Sequence, residues 1–208
     1  MRKRISLPDR TGRQHRAGCV LPLAMAVLLL AGCGTQRQVS YTKQGMDAVE
    51  ALAYEEALGY FDSALEEGEE KRKLYRGMGL AYMGLTQYEN AILYLEAALH
   101  ESGGRVEDMD FDINYYLATA YYKSGRPQDA VKAYDAILAL RPKEKDACFL
   151  RGYVKLSQNL FEEASKDFDA AIALDGKDYD QMLRIYMALE EDGYKDAGIT
   201  YLQKAMAE

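Results

Sequence analysis

Tryptophan is absent from this 208-residue chain, and proline (4), histidine (2) and cysteine (3) are scarce. Each shortage closes off a class of protein. Three cysteines cannot build a disulfide framework, and with His15 and His100 as the whole histidine complement no Cys/His zinc site can be assembled. Histidine-based acid–base catalysis is short of material for the same reason. So few prolines, set among abundant Ala, Leu, Glu and Lys, favour helices over a strand-rich sandwich. No apolar run approaches the roughly 20 residues that a membrane-spanning helix needs. What remains is 49% apolar and 28% charged, which is the composition of a folded, globular chain.

Charge is distributed unevenly. Arg2, Lys3, Arg4, Arg10, Arg13 and Arg16 face a single acid, Asp9, ahead of the short apolar run Val20–Ala31. A basic region followed by an apolar stretch of this length has the form of an export signal. The run ends in Leu30-Ala31-Gly32-Cys33, which resembles the lipobox of bacterial lipoproteins. That resemblance implies a thioether-linked diacylglycerol on Cys33, cleavage before it, and a chain held at a membrane by its acyl groups. An ordinary signal peptide with a chance cysteine and an uncleaved anchor are the alternatives. Ala17-Gly18-Cys19 is not a second candidate, because Arg16 precedes it and the apolar run follows it. Gly34 rather than Asp after the cysteine implies outer-membrane delivery in a two-membrane bacterium and the outer face of the cell membrane in a one-membrane one. From Cys33 onward the chain carries a formal net charge of −12, which repels nucleic acid and anionic lipid, so no nucleic-acid partner is expected.

Beyond this segment the sequence repeats itself. Ala57–Phe61–Ala64 recurs as Ala91–Leu95–Ala98, Ala130–Tyr134–Ile137, Ala164–Phe168–Ala171 and Gly198–Leu202–Ala205, at steps of 34, 39, 34 and 34 residues. Twelve residues upstream of each set stand Gly45, Gly79, Ala118, Gly152 and Tyr186. The second unit, Tyr75-x2-Met78-Gly79-x2-Tyr82 then Ala91-x3-Leu95, resembles the tetratricopeptide repeat (TPR), as does the third, which closes with Pro142. The resemblance implies an all-α, right-handed superhelical solenoid of five TPR-like helix-turn-helix repeats. Small residues at the crossings let helix axes approach to about 8–10 Å, and each unit buries its apolar face only by stacking on its neighbours.

The expected organisation is a lipoprotein signal peptide at 1–32, the lipidated Cys33 with a short tether at 33–37, and a TPR domain at 38–208. Its repeats fall at about 38–71, 72–105, 111–144, 145–178 and 179–208. A polar insertion at about 101–110 accounts for the 39-residue step and is expected to be mobile. The fifth unit departs from the pattern, with Tyr186 where a small residue belongs and no capping helix after it. Either the polar Glu190-Glu191-Asp192 and Lys204 faces solvate that end, which is the expectation, or it packs on a partner.

Beside the packing stripe of each first helix runs a second: Arg76, Leu80, Met83; Tyr115, Thr119, Tyr122; Phe149, Tyr153, Leu156; Leu183, Met187, Glu190. In the resembled family such positions line a concave groove for extended peptides or helices. Arg76, Tyr115, Thr119, Tyr122, Phe149, Tyr153 and Met187 are therefore the candidate partner-binding residues, although the aromatic ones also suit packing between adjacent helices. The carboxylate clamp of some family members is not reproduced, since Asp112, Asp146 and Asp180 replace the equivalent of Lys73. Tyr82, Tyr88, Tyr121 and Tyr134 stand at packing positions, and Cys148 reads as a buried apolar residue. Glu66-Glu67 and Glu162-Glu163 are adjacent on exposed helix faces and cannot converge as an acid–base pair. The expected function is a non-enzymatic, membrane-anchored interaction adaptor outside the cytoplasm, without cofactor or metal. The alternative is a structural subunit of an envelope machine of the pilus-secretin or outer-membrane assembly type.

Overall fold

The computed structural model describes residues 40–173 and 176–206, so the expected signal peptide, Cys33 and the expected tether lie outside the described residues. Within these, ten helices and no strand are present. They form five hairpins: α1 (Tyr41–Glu50) with α2 (Tyr54–Glu66), α3 (Lys71–Gly84) with α4 (Tyr88–His100), α5 (Asp108–Lys123) with α6 (Pro127–Leu140), α7 (Lys145–Leu156) with α8 (Phe161–Ala173), and α9 (Tyr179–Glu191) with α10 (Lys195–Met206). Each helix packs on its predecessor and its successor, and first helices also touch across repeats, α1 with α3, α3 with α5 and α7 with α9. The domain is a stack held by nearest neighbours, an all-α solenoid of the TPR type.

Within a hairpin, a residue without a side chain lies under a large one. Phe61, Leu95 and Phe168 are wholly buried. A Cβ added at Gly45 would stand 2.4 Å from the Phe61 ring, one at Gly79 2.6 Å from Leu95, and one at Gly152 2.8 Å from Phe168. Burying each such side chain stabilises the stack by about 1.5–3 kcal/mol, and at these three crossings glycine alone permits the contact without a shift. The fifth hairpin reverses the arrangement. There Tyr186 is the large residue of the first helix, and Gly198 on α10 gives way, with its Cβ position 3.2 Å from the Tyr186 ring. The departure at Tyr186 is thus a size swap across one crossing.

The hairpin turns share one backbone device. Leu52, Thr86, Gly125, Asn159 and Gly193 all adopt positive φ, between 58° and 83°, and follow one another at the repeat's own steps. Each lies two residues beyond the last residue of its first helix, or three beyond α7, where a left-handed residue lets following amides bond back onto the helix. In the first turn Ala53 N–H donates to Ala48 C=O and Leu52 N–H to Val49 C=O.

The insertion is shorter than the 101–110 expected from sequence, because α5 begins at Asp108. The Asp110 carboxylate accepts from Glu107 N–H at 2.7 Å, which fixes the start of the helix. Arg72 of α3, 7% exposed, reaches across to both acids, donating to Glu107 at 2.7 Å and to Asp110. The C-terminal half of that segment is therefore clamped to the preceding repeat.

Candidate protein-interaction face

Among the first helices, α1 packs on α3, α3 on α5 and α7 on α9, while Tyr122 and Tyr153 link α5 to α7, and clefts open among the described residues at both ends of this series. One, of about 390 Å³, lies at the N-terminal end and is lined by Lys43 and Met46 of α1, Lys73 and Arg76 of α3, Met109 of α5, and Glu69–Glu70 between the hairpins. The other, of about 310 Å³, lies between α7 and α9 and is lined by Phe149, Leu150, Tyr153, Arg184, Met187, Ala188 and Glu191.

The seven residues singled out from the sequence fall into distinct environments. Arg76 is not a free cation, because its Nε donates to the Asp112 carboxylate at 2.6 Å and staples α3 to α5. Tyr115 is half-buried, edge-on to Tyr134 at 6.1 Å, and its hydroxyl has no hydrogen-bond partner. Burial pushes its phenol well above the ordinary value, and pushes that of Tyr134 up to about 12. Thr119 is exposed and folds back onto its own helix, its hydroxyl donating to Tyr115 C=O at 3.0 Å. Tyr122 and Tyr153 meet edge to face at 5.9 Å, bridging α5 to α7. Phe149 is 6% exposed, packed on Phe168 at 5.8 Å and covered by the Arg184 guanidinium 4.2 Å above its ring. Met187 is 59% exposed and forms one wall of the second cleft.

Tyr122, Tyr153 and Met187 are thus the candidates that the fold brings together at an accessible surface, whereas Phe149 forms the floor beneath them. Leu156, placed by spacing in the same stripe, is 1% exposed and belongs to the core. Arg184, Leu150, Ala188 and Glu191 were not anticipated. Arg184 carries the most information of these, since besides covering Phe149 it donates to Asp146 of α7 at 3.1 Å. No periodic pattern marks it, because its repeat equivalents are Lys43, Gly77, Tyr116 and Leu150.

Other charged groups near this face are committed to structure. Arg151 joins three helices, with Nε 3.0 Å from Asp167 of α8 and a second nitrogen 2.6 Å from Asp135 of α6, while Lys155 reaches Asp167 at 2.7 Å. Burial pushes the Cys148 thiol up, away from the reactive thiolate. Among the described residues no group of three or more His, Cys, Asp or Glu could hold a metal ion, and no helix is long and apolar enough to cross a membrane.

Comparison with known proteins agrees with this architecture. The family model described as tetratricopeptide repeat matches residues 42–106 and 115–180. No curated protein matches the chain. Among solved structures, one titled as YrrB, a TPR protein with an unusual peptide-binding site, superposes with a TM-score of 0.63 at 22% identity, over 83% of this chain and 88% of that one. MamA from Desulfovibrio magneticus RS-1 superposes with a TM-score of 0.65 at 18% identity, over 80% and 92% of the two chains. A further MamA crystal structure gives 0.64 at 20% identity, over 78% and 92%. At these identities the likeness is one of fold.

Proposed function

This chain belongs to the tetratricopeptide repeat family, and from that premise we propose that it is a lipid-anchored, non-enzymatic adaptor that captures a protein segment outside the cytoplasm. The observation that carries the binding half of this reading is the cleft between α7 and α9. Phe149 beneath the Arg184 guanidinium closes its floor, Met187 and Tyr153 form apolar walls, and Leu150, Ala188 and Glu191 complete its lining. An apolar side chain of an extended or helical segment fits such a site. Methionine adapts its shape at little cost, and tyrosine offers broad contact together with a hydroxyl. A similarly built protein described as having a peptide-binding site supports the same use here.

The anchoring half rests on Leu30-Ala31-Gly32-Cys33 behind a basic, then apolar, leader. Two or three acyl chains at Cys33 would attach the chain essentially permanently. Six residues separate Cys33 from Ser40, a reach of at most about 25 Å, so the solenoid would work close to the bilayer.

The two halves are tested separately. Tyr153→Ala/Met187→Ala is expected to lose the bound segment in co-purification from native membranes, and undiminished recovery would remove the cleft from the account. Cys33→Ala is expected to abolish fatty-acid labelling and release the protein from the membrane fraction. The second reading, a subunit of an envelope assembly, is favoured by one observation, the exposed apolar surface at the C-terminal end of the stack. Native gels of membrane extracts separate the two, since an assembly subunit would migrate in a stable large complex.

A further inference from the structure

The last hairpin ends on a surface that the second, third and fourth hairpins cover, whereas in the first the equivalent Leu65 is 38% exposed. Leu99 of α4 packs in the cluster closed by Ile113 and Leu117 of α5. Leu138 of α6 packs with Ala147 and Val154 of α7. Ile172 of α8, 9% exposed, packs with Met182 and Ile185 of α9. The next residue in this register, 34 positions on, is Met206, which is 77% exposed. Together with Ile199 and Leu202 it forms an apolar stripe at i, i+3 and i+7 on α10. The stripe has the composition of an internal interface, and no helix follows it among the described residues.

A second feature of this end concerns charge. Asp112 accepts from Arg76 of the preceding repeat, and Asp146 accepts from Arg184 of the following one. Asp180 stands at the same register, is exposed, and makes no ion pair with any described residue.

The opposite end of the stack is different. The positions occupied in α3 by Leu74, Gly77, Met78 and Ala81 are Ser40, Lys43, Gln44 and Asp47 in α1, with Lys43 and Asp47 paired at 2.7 Å on the exposed surface. Among the described residues, one end of the stack is polar and the other apolar. Head-to-tail stacking of two copies would set the apolar stripe against Ser40, Lys43 and Asp47, which do not complement it.

We propose that the C-terminal end of the solenoid, the α10 stripe with Asp180 beside it, is an acceptor for one amphipathic helix of another protein, seated where a sixth first helix would lie. The internal interfaces specify that helix. It runs antiparallel to α10, carries apolar residues at i, i+4 and i+7, as in Leu74, Met78 and Ala81 or Ile113, Leu117 and Ala120, and has a basic residue at i+3, where α9 has Arg184 after Gln181. The basic residue pairs with Asp180 as Arg184 pairs with Asp146. This site is separate from the cleft between α7 and α9 and stands whether or not that cleft binds a segment.

The probe is a fluorescent, helix-stapled peptide with the sequence of residues 179–191, the helix that fills the equivalent place on α8. Its anisotropy is measured against the full chain in mild detergent. Saturable binding is expected, weakened about tenfold or more by Met206→Glu, an exposed substitution that leaves the hairpin's packing intact. Asp180→Arg is expected to weaken binding, and Arg184→Glu in the peptide to restore it against that variant. Tyr153→Ala is expected to have no effect. Binding that is absent, that ignores Met206→Glu, or that is lost with Tyr153→Ala overturns the proposal. So does a dimer in sedimentation that Met206→Glu converts to monomer, since the covering partner would then be a second copy of this chain.

Discussion

At the scale of single residues, the stack depends on where glycine is needed and where it is merely present. Gly59 lies on α2 with open space at its Cβ position, so Gly59→Ala is expected to stabilise by about 0.5–1 kcal/mol through helix propensity. Gly152 has the same intrinsic preference, but its Cβ would meet the Phe168 ring at 2.8 Å and Ala164 C=O at 3.1 Å. Gly152→Ala is therefore expected to destabilise by about 1–3 kcal/mol. Urea midpoints of opposite sign for two chemically identical substitutions would verify the crossing, and a shared sign would refute it. The turns supply a converse case. Thr86 is β-branched with φ 58°, a conformation that strongly disfavours it, so Thr86→Gly is expected to raise the melting temperature. The sequence marks the crossings because large and small residues must recur at fixed spacing. It places the turns at Thr86-Gln87-Tyr88 and Asn159-Leu160-Phe161, and asparagine suits the left-handed conformation, but it does not mark Leu52 and Thr86 as left-handed, since neither is glycine or asparagine.

At the scale of helices, the ends and the links between repeats are held by charge. Glu69, in the loop after α2, accepts from Tyr41 N–H at 2.7 Å and Thr42 N–H at 3.1 Å and so closes the N-terminus of α1. Burial alone would raise its carboxyl, but hydrogen bonds from Thr42, Ser40 and Tyr41 hold it below the ordinary range. Asp178 caps α9 by accepting from Gln181 N–H at 2.9 Å, and its hydrogen bond with Lys145, then that from Gln181, lowers its carboxyl as well. A carboxyl whose pKa is lower folded than unfolded contributes stability above the unfolded value, about 4, and loses it as pH falls through the folded one. Melting temperature is therefore expected to drop below about pH 4, and Asp178→Asn to flatten that drop. An unchanged acid limb in the variant would show that the cap contributes nothing. Arg72→Ala would leave the carboxylate of Asp110, itself 9% exposed, without its counter-charge and with only Glu107 N–H as partner, and is expected to cost about 3–5 kcal/mol. Apart from the local Asp178–Gln181 cap, none of these links was legible beforehand, because they join residues 27–38 apart that share no periodic motif. The same reason explains why Arg76 and Phe149 looked available: Asp112 and Arg184, which occupy them, belong to neighbouring repeats.

At the scale of the whole domain, connectivity decides how damage spreads. Contacts run between successive helices and between the first helices α1 and α3, α3 and α5, and α7 and α9, so no single core joins the two ends. The buried clusters follow the same order, from Phe61 with Leu74 near the start to Phe168 with Ile185 near the end. Stability in such a stack is a sum of local and neighbour contributions, and loss at one place should stay close to that place. Phe168→Ala removes a wholly buried ring that joins α8 to Gly152 of α7 and to the α9 cluster, at a cost of about 3–5 kcal/mol. Hydrogen exchange followed by mass spectrometry is expected to show protection falling over α7–α10 while α1–α4 keep theirs. Equal loss across all ten helices would mean that the domain unfolds as one unit, contrary to a nearest-neighbour stack. The same logic bears on the C-terminal end. If a helix occupies the α10 stripe, the stapled peptide of residues 179–191 should slow exchange in α9 and α10 and leave α1–α4 unchanged, a pattern that general stabilisation by detergent or peptide would not produce.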